Sequence, residues 1–324
     1  MPATLLTRLR PLAVVATLLA GGWAAAAPAG LLIDGAVDRP ATLSADELAR
    51  LPQVTQTASF AVGSAAPQGH SYTGPLLWSL LDRQGLQLAP GMRSGVLTRY
   101  VLATGRDGYK AVFTLGELSP DFGHKQALVA LDAQDGSLRV TAPGDVKGGR
   151  YVALLDHLTV RVAESTATAA PGGGVSPSFA VSGAVLRPRS FDLAALQALP
   201  ATTLTGAGTR YTGVSLFTLL DQSTGIDTGG RKNAQLAMYA VATGSDGYQA
   251  LVSLGEIDPG FGNRGALIAW QAGDSDLGKR GVARLVVDGD VKQGRSVSNL
   301  AAIEVFAAPA ATMPTSFPPS TSTP

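Results

Sequence analysis

The residues whose types and spacing best suit chemistry lie in two glycine-rich loops, Pro143-Gly-Asp-Val-Lys-Gly-Gly-Arg150 and Asp288-Gly-Asp-Val-Lys-Gln-Gly-Arg295. Each sets a lysine three residues before an arginine: Lys147 with Arg150, and Lys292 with Arg295. A guanidinium binds phosphate or carboxylate bidentately, and glycines let backbone amides close around an anion. The same spacing also fits a tight turn in which Arg150 and Arg295 pair with local aspartates. Aromatic residues recur nearby: Tyr72 with Tyr211, Tyr100 with Tyr239, Tyr109 with Tyr248, and Trp78 with Phe217. Such rings can stack on a flat heterocycle or pack a core.

Other chemistries find little support. The three histidines, His70, His124 and His157, share no i, i+4 spacing that would favour a helical metal site. No Gly-x-Ser-x-Gly elbow marks a serine hydrolase. The recurring acids Asp107/Asp246 sit in Asp-Gly turns, and Glu117/Glu256 fall at the third helical position of Thr114-Leu-Gly-Glu117 and Ser253-Leu-Gly-Glu256, a capping-box pattern. The chain contains no cysteine, which removes thiolate catalysis, zinc–thiolate sites and iron–sulfur clusters.

The elements that must hold the loops occur twice. Tyr72-Thr-Gly recurs as Tyr211-Thr-Gly, and Tyr100–Tyr109 recurs as Tyr239–Tyr248, both offset by 139. Across 100–118 against 239–257, 11 of 19 positions are identical. The glycine loops are offset by 145. This period is far above that of a solenoid and predicts a duplicated domain. In each copy, strands are expected on either side of the Gly-x-Asp-Gly turn, with short helices after Ser44, after Asp192 and after each Tyr-Thr-Gly. Pro75 is expected in the first helical turn. Each copy therefore reads as a mixed, strand-rich α+β unit. No dinucleotide-binding Gly-x-Gly-x-x-Gly loop is present.

The chain divides into residues 1–27, a signal peptide; 28–163, the first copy; 164–177, a flexible linker; 178–308, the second copy; and 309–324, a disordered tail. Residues 1–27 carry Arg8 and Arg10, an apolar run over 12–20, and a small-residue stretch ending at Ala27. The run is short for a membrane span of about 20 residues, so export by cleavage is expected, to the periplasm or outside the cell. Cleavage would remove two arginines and no acid, leaving 23 basic against 24 acidic residues, or −1. A near-neutral chain has no electrostatic footprint for nucleic acid.

Tyr-Thr-Gly-x-x-Leu-x-x-Leu-Leu, the Gly-x-Asp-Gly-Tyr turn, Leu-Gly-Glu-Leu and the late Pro-Gly-Asp-Val-Lys-Gly-Gly-Arg loop occur here in that order. Together they resemble the oxidoreductase molybdopterin-binding domain, the sulfite oxidase fold. The resemblance implies two tandem copies of that mixed α+β domain. It implies that Lys147, Arg150, Lys292 and Arg295 hold an anionic pterin, and the recurring rings Tyr72, Trp78, Tyr109, Tyr211 and Tyr248 are then expected to stack around it. Catalytic members bind molybdenum through the pterin and one protein cysteine, and this chain has none. The resemblance then implies a periplasmic pterin-binding protein without catalysis, whose partner is a membrane signalling or redox protein. Two alternatives stay open: a molybdopterin-dependent oxidoreductase lacking the usual cysteine ligand, and a structural or interaction module. Asp288, standing where the first copy has Pro143, adds negative charge beside the second loop and favours binding in the first copy.

Overall fold

A computed structural model describes residues 30–61, 64, 66–88, 95–132, 136–169 and 173–309. The expected signal peptide and nearly all of the expected tail lie outside these residues. No described helix is long and apolar enough to cross a membrane.

Two five-stranded sheets organise the chain. The first runs Ala41–Leu43, Leu31–Gly35, Leu155–Val162, Arg99–Gly105, Lys110–Thr114. The second runs Arg189–Phe191, Phe179–Gly183, Leu300–Ala307, Met238–Gly244, Gln249–Ser253. Order and sense agree strand for strand. In each, the opening strand pairs antiparallel with its neighbour in sequence and parallel with the last long strand. The one irregularity also recurs, a register shift at Thr104/Gly105 and at Thr243/Gly244. The molecule is thus a strand-rich α+β protein with short helices.

Local chemistry explains most element ends. Ser44 and Glu47 form a reciprocal capping box at the helix Ala45–Ala49. Asp192 caps Leu193–Gln197. Asp107 and Asp246 each accept the amide of the tyrosine two residues on, at 3.0 Å, closing the two Asp-Gly turns.

Three expectations need correction. Pro75 lies before the helix Leu77–Arg83 rather than in its first turn, because its carbonyl accepts the Val129 amide in a strand-like contact. The matching segment of the second half is helical only over Leu216–Thr218 and continues with wide π turns over Leu219–Thr224. The start of the linker is tied down: the Glu304 carboxylate accepts from the Ser165 hydroxyl and the Thr166 and Ala167 amides.

Each sheet covers its own apolar core, one built on Ile33, Leu80 and Phe113, the other on Val181, Leu219 and Val252. The opposite faces meet in a third cluster of Tyr100, Leu102 and Val112 against Tyr239, Val241 and Leu251. These six residues are equivalent in pairs at the offset of 139. Both faces of Arg99–Gly105 and of Met238–Gly244 are consequently covered, and all seven residues of each strand are buried.

Candidate ligand-binding site

The late loops fold back beside this seam. Tyr109 and Tyr248 fasten them, each donating its hydroxyl to a loop carbonyl, Gly149 or Gly294, at 2.5 Å. Arg150 and Arg295 are then fully buried. Arg150 donates through Nε and Nη2 to Asp145 at 2.7 and 2.8 Å, and through Nη1 to Glu117 at 2.7 Å. Arg295 repeats this with Asp290 at 2.9 and 2.6 Å and with Glu256 at 2.8 Å. The expectation that these arginines hold a ligand anion is therefore corrected: their guanidinium groups are engaged by carboxylates of the chain, the alternative that the loop spacing also allowed. Burial works against the Arg150 charge, but Glu117 and Asp145 outweigh it and hold the proton more firmly than usual.

The reading of Glu117 and Glu256 as capping-box acids is half right. Thr114 and Ser253 do cap the short helices through the Glu117 and Glu256 amides, at 3.0 and 3.1 Å. The glutamate side chains instead turn inward to Arg150 and Arg295. With Lys125 on Asp145 at 2.8 Å and Arg264 near Glu256 and Asp290, four bases face four acids whose side chains are buried astride the seam.

The opening with ligand-binding character lies at the outer end of the first loop. Strand Val54–Phe60 leads into Ala61, which pairs with the loop: its amide donates to the Val146 carbonyl, and its carbonyl accepts the Gly148 amide. The loop is also pinned to the second half, where the Val146 amide donates to the Phe261 carbonyl at 2.7 Å. A cleft of about 610 Å³ results. Phe60, Tyr151 and Phe261 supply rings to it, and Arg139, Lys147 and Lys232 supply cations. Phe60 stacks on Tyr151 at 4.1 Å and on His70 at 5.1 Å, and Tyr72 stands 5.8 Å from Tyr151. The Gly148 position has no room for a side chain, since a Cβ there would lie 2.7 Å from the Phe60 ring.

The polar groups of this cleft are under-used. Tyr151 is 5% exposed, and its hydroxyl has no hydrogen-bond partner of good geometry. Burial pushes that hydroxyl well above the ordinary tyrosine range, so it is a neutral donor. Arg139 reaches Asp132 at 3.3 Å while its Nε is buried and unpartnered. Among the described residues, neither Lys147 nor Lys232 makes an ion pair.

The second half differs at the matching places. Lys292 pairs with Asp121 at 2.6 Å. The counterpart of Asp121 at the offset of 139 is Gly260, which gives Lys147 no such partner. Gln293 replaces Gly148, and Ser296 replaces Tyr151, with the two side chains bonded to one another at 3.1 Å.

Of the residues expected from sequence, Lys147 lines the cleft and Tyr72 stands behind its ring stack. Tyr109 and Tyr248 serve as loop fasteners. Trp78 packs half-buried on the first core. Tyr211 is buried under the Arg284 guanidinium, 6.0 Å away. Sequence reasoning missed Phe60, Arg139, Tyr151, Lys232 and Phe261. Tyr151 directly follows the loop and was within reach of that reading. Phe60 and Phe261 come from segments that carry no local signal.

No family model matches the sequence, and no curated relative matches it. Among solved structures, the chain is similar to the sulfane dehydrogenase SoxCD from Paracoccus pantotrophus. The likeness has 15% identity and a TM-score of 0.32, over 87% of this chain and 78% of that one.

Proposed function

We propose that this chain is an exported, non-catalytic binding protein for a pterin or a similar anionic heterocycle, made of two tandem copies of one domain. The observation that supports it best is the cleft at the first loop. There the Phe60 and Tyr151 rings, stacked at 4.1 Å, share the cleft wall with three cations, Arg139, Lys147 and Lys232. Ligand pockets combine apolar rings with a few polar groups in this way. A flat ring would lie against the edge of Phe60, whose faces His70 and Tyr151 cover, the tyrosine hydroxyl would donate to a ring carbonyl or nitrogen, and the cations would hold an acidic substituent.

The resemblance to molybdopterin domains also implies a metal held with the help of one protein thiolate, and the chain has no cysteine to supply it. The cleft offers donors for an anionic pterin. It offers no thiolate, and among the described residues no group of three or more His, Cys, Asp or Glu could hold a metal. No redox step is therefore assigned.

Calorimetric titration of the full chain with reduced pterins and molybdopterin tests the reading. Binding is expected, weakened by Tyr151→Phe and by Lys147→Ala by about 1–3 kcal/mol each, the range for a hydrogen bond involving a charged or buried group. Lys292→Ala should leave it unchanged. Absence of heat with every pterin overturns the reading.

A further inference from the structure

A second cavity, of about 340 Å³, adjoins the cleft and shares Lys232 and Asn233 with it as a common wall. Its cations are Lys110, Arg231 and Lys232, and Tyr109 lies among them. Its one acid, Asp227, is turned to its own loop and accepts the Gly229 amide at 3.0 Å. Among the described residues, Lys110, Arg231 and Lys232 make no ion pair. The wall itself is fixed. Asn233 holds the left-handed conformation, φ 60°, and Tyr109 beside it fastens the first loop through the Gly149 carbonyl. In the second half, Gln249 stands in place of Lys110 and is engaged with Ser165 and Thr243. The positive charge of this cavity is continuous with the ring-lined cleft through Lys232.

We infer that this cavity takes a di- or triphosphate tail of the same ligand whose ring occupies the cleft, so that the preferred ligand is a phosphorylated heterocycle. The inference rests on the reading of the cleft given above. Three clustered cations against one acid, Asp227, leave a positive excess that matches a tail of several negative charges, and a bare ring would leave it unused. The two cavities meet at Lys232, which can bridge the acidic substituent of the ring and the first phosphate.

Three probes separate the parts of this inference in titrations of the full chain: dihydroneopterin, dihydroneopterin triphosphate and inorganic triphosphate. The triphosphate ester should bind at least about tenfold tighter than dihydroneopterin at low salt, with the gain shrinking as salt rises. The double variant Lys110→Ala, Arg231→Ala, which leaves the cleft intact, should abolish the gain and preserve dihydroneopterin binding. Equal affinity for the two pterins, or an undiminished gain in the double variant, overturns the inference while the cleft reading survives. Binding of inorganic triphosphate, lost in the double variant, with no binding of dihydroneopterin, overturns the ring reading and retains the anion cavity. No binding of any probe overturns both.

Discussion

Arg150 and Arg295 are large cations with no exposed surface, and a charge so placed is tolerable only while its partners stay. Removing one partner leaves an uncompensated buried charge. Arg150→Ala is therefore expected to destabilise the protein by about 3–5 kcal/mol, read from denaturant unfolding. The aspartate of the pair gives a pH signature. Burial disfavours the Asp145 charge, but Arg150 and Lys125 outweigh it and hold its carboxyl below the ordinary range. A folded-state pKa below the unfolded one adds stability that is complete above the unfolded value of about 3.9 and is lost as pH falls through the folded one. The stability lead of wild type over Asp145→Asn should then be constant above about pH 5 and shrink on acidification below pH 4. A lead that grew on acidification would contradict the assignment.

At the scale of elements, the turns and caps were legible because their chemistry is local. Ser44 with Glu47, and Asp107 with Tyr109, act within three residues of one another. The strands beside the Asp-Gly turn were legible for the same reason. The side-chain destinations were not. Glu117 and Arg150 are 33 residues apart in sequence, and nothing local distinguishes a glutamate that closes a capping box from one that turns to a distant arginine. The cleft was legible in one residue of its wall, Lys147, because its other parts meet only when two distant segments pack on the loop.

Close packing at the seam makes a further element-level prediction. The stem of Arg150 lies over Gly255 and that of Arg295 over Gly116, where an added Cβ would come within 2.7 and 2.8 Å of the arginine Cδ atoms. Overpacking of this kind costs about 1–3 kcal/mol. Gly116→Ala and Gly255→Ala should each lower the melting temperature, and tolerance of both without loss would show that the arginine stems have room to move. The linker makes a second prediction. Glu304→Ala removes the acceptor shared by Ser165, Thr166 and Ala167, so amide exchange should accelerate at 166 and 167 while the strand Leu300–Ala307 stays protected.

At the scale of the molecule, the two halves meet as the subunits of a two-fold dimer do, each using the same patch. Tyr100 faces Tyr239 at 4.5 Å, Arg150 lies on Gly255 as Arg295 lies on Gly116, and the Val146 amide binds the Phe261 carbonyl as the Val291 amide binds that of Phe122. These contacts are reciprocal, whereas the Lys292–Asp121 pair has no equivalent because Gly260 stands in the place of Asp121. Residues 28–163 expressed alone would expose Tyr100, Leu102 and Val112 together, an apolar patch that a soluble monomer seldom leaves open. A second copy of the same fragment presents the matching surface: Gly116 to receive Arg150, Phe122 to receive the loop, and Tyr100 to meet Tyr100. The fragment should therefore sediment as a homodimer, and Leu102→Asp, which buries a charge in the middle of that patch, should leave it monomeric or unfolded. The same substitution in the full chain should loosen the seam and weaken any ligand that depends on Lys232 and Phe261 from the second half, while ligand held by the first half alone would be unaffected. A monomeric, folded fragment at high micromolar concentration would show that the seam is held by the covalent linkage of the halves rather than by complementarity of their faces.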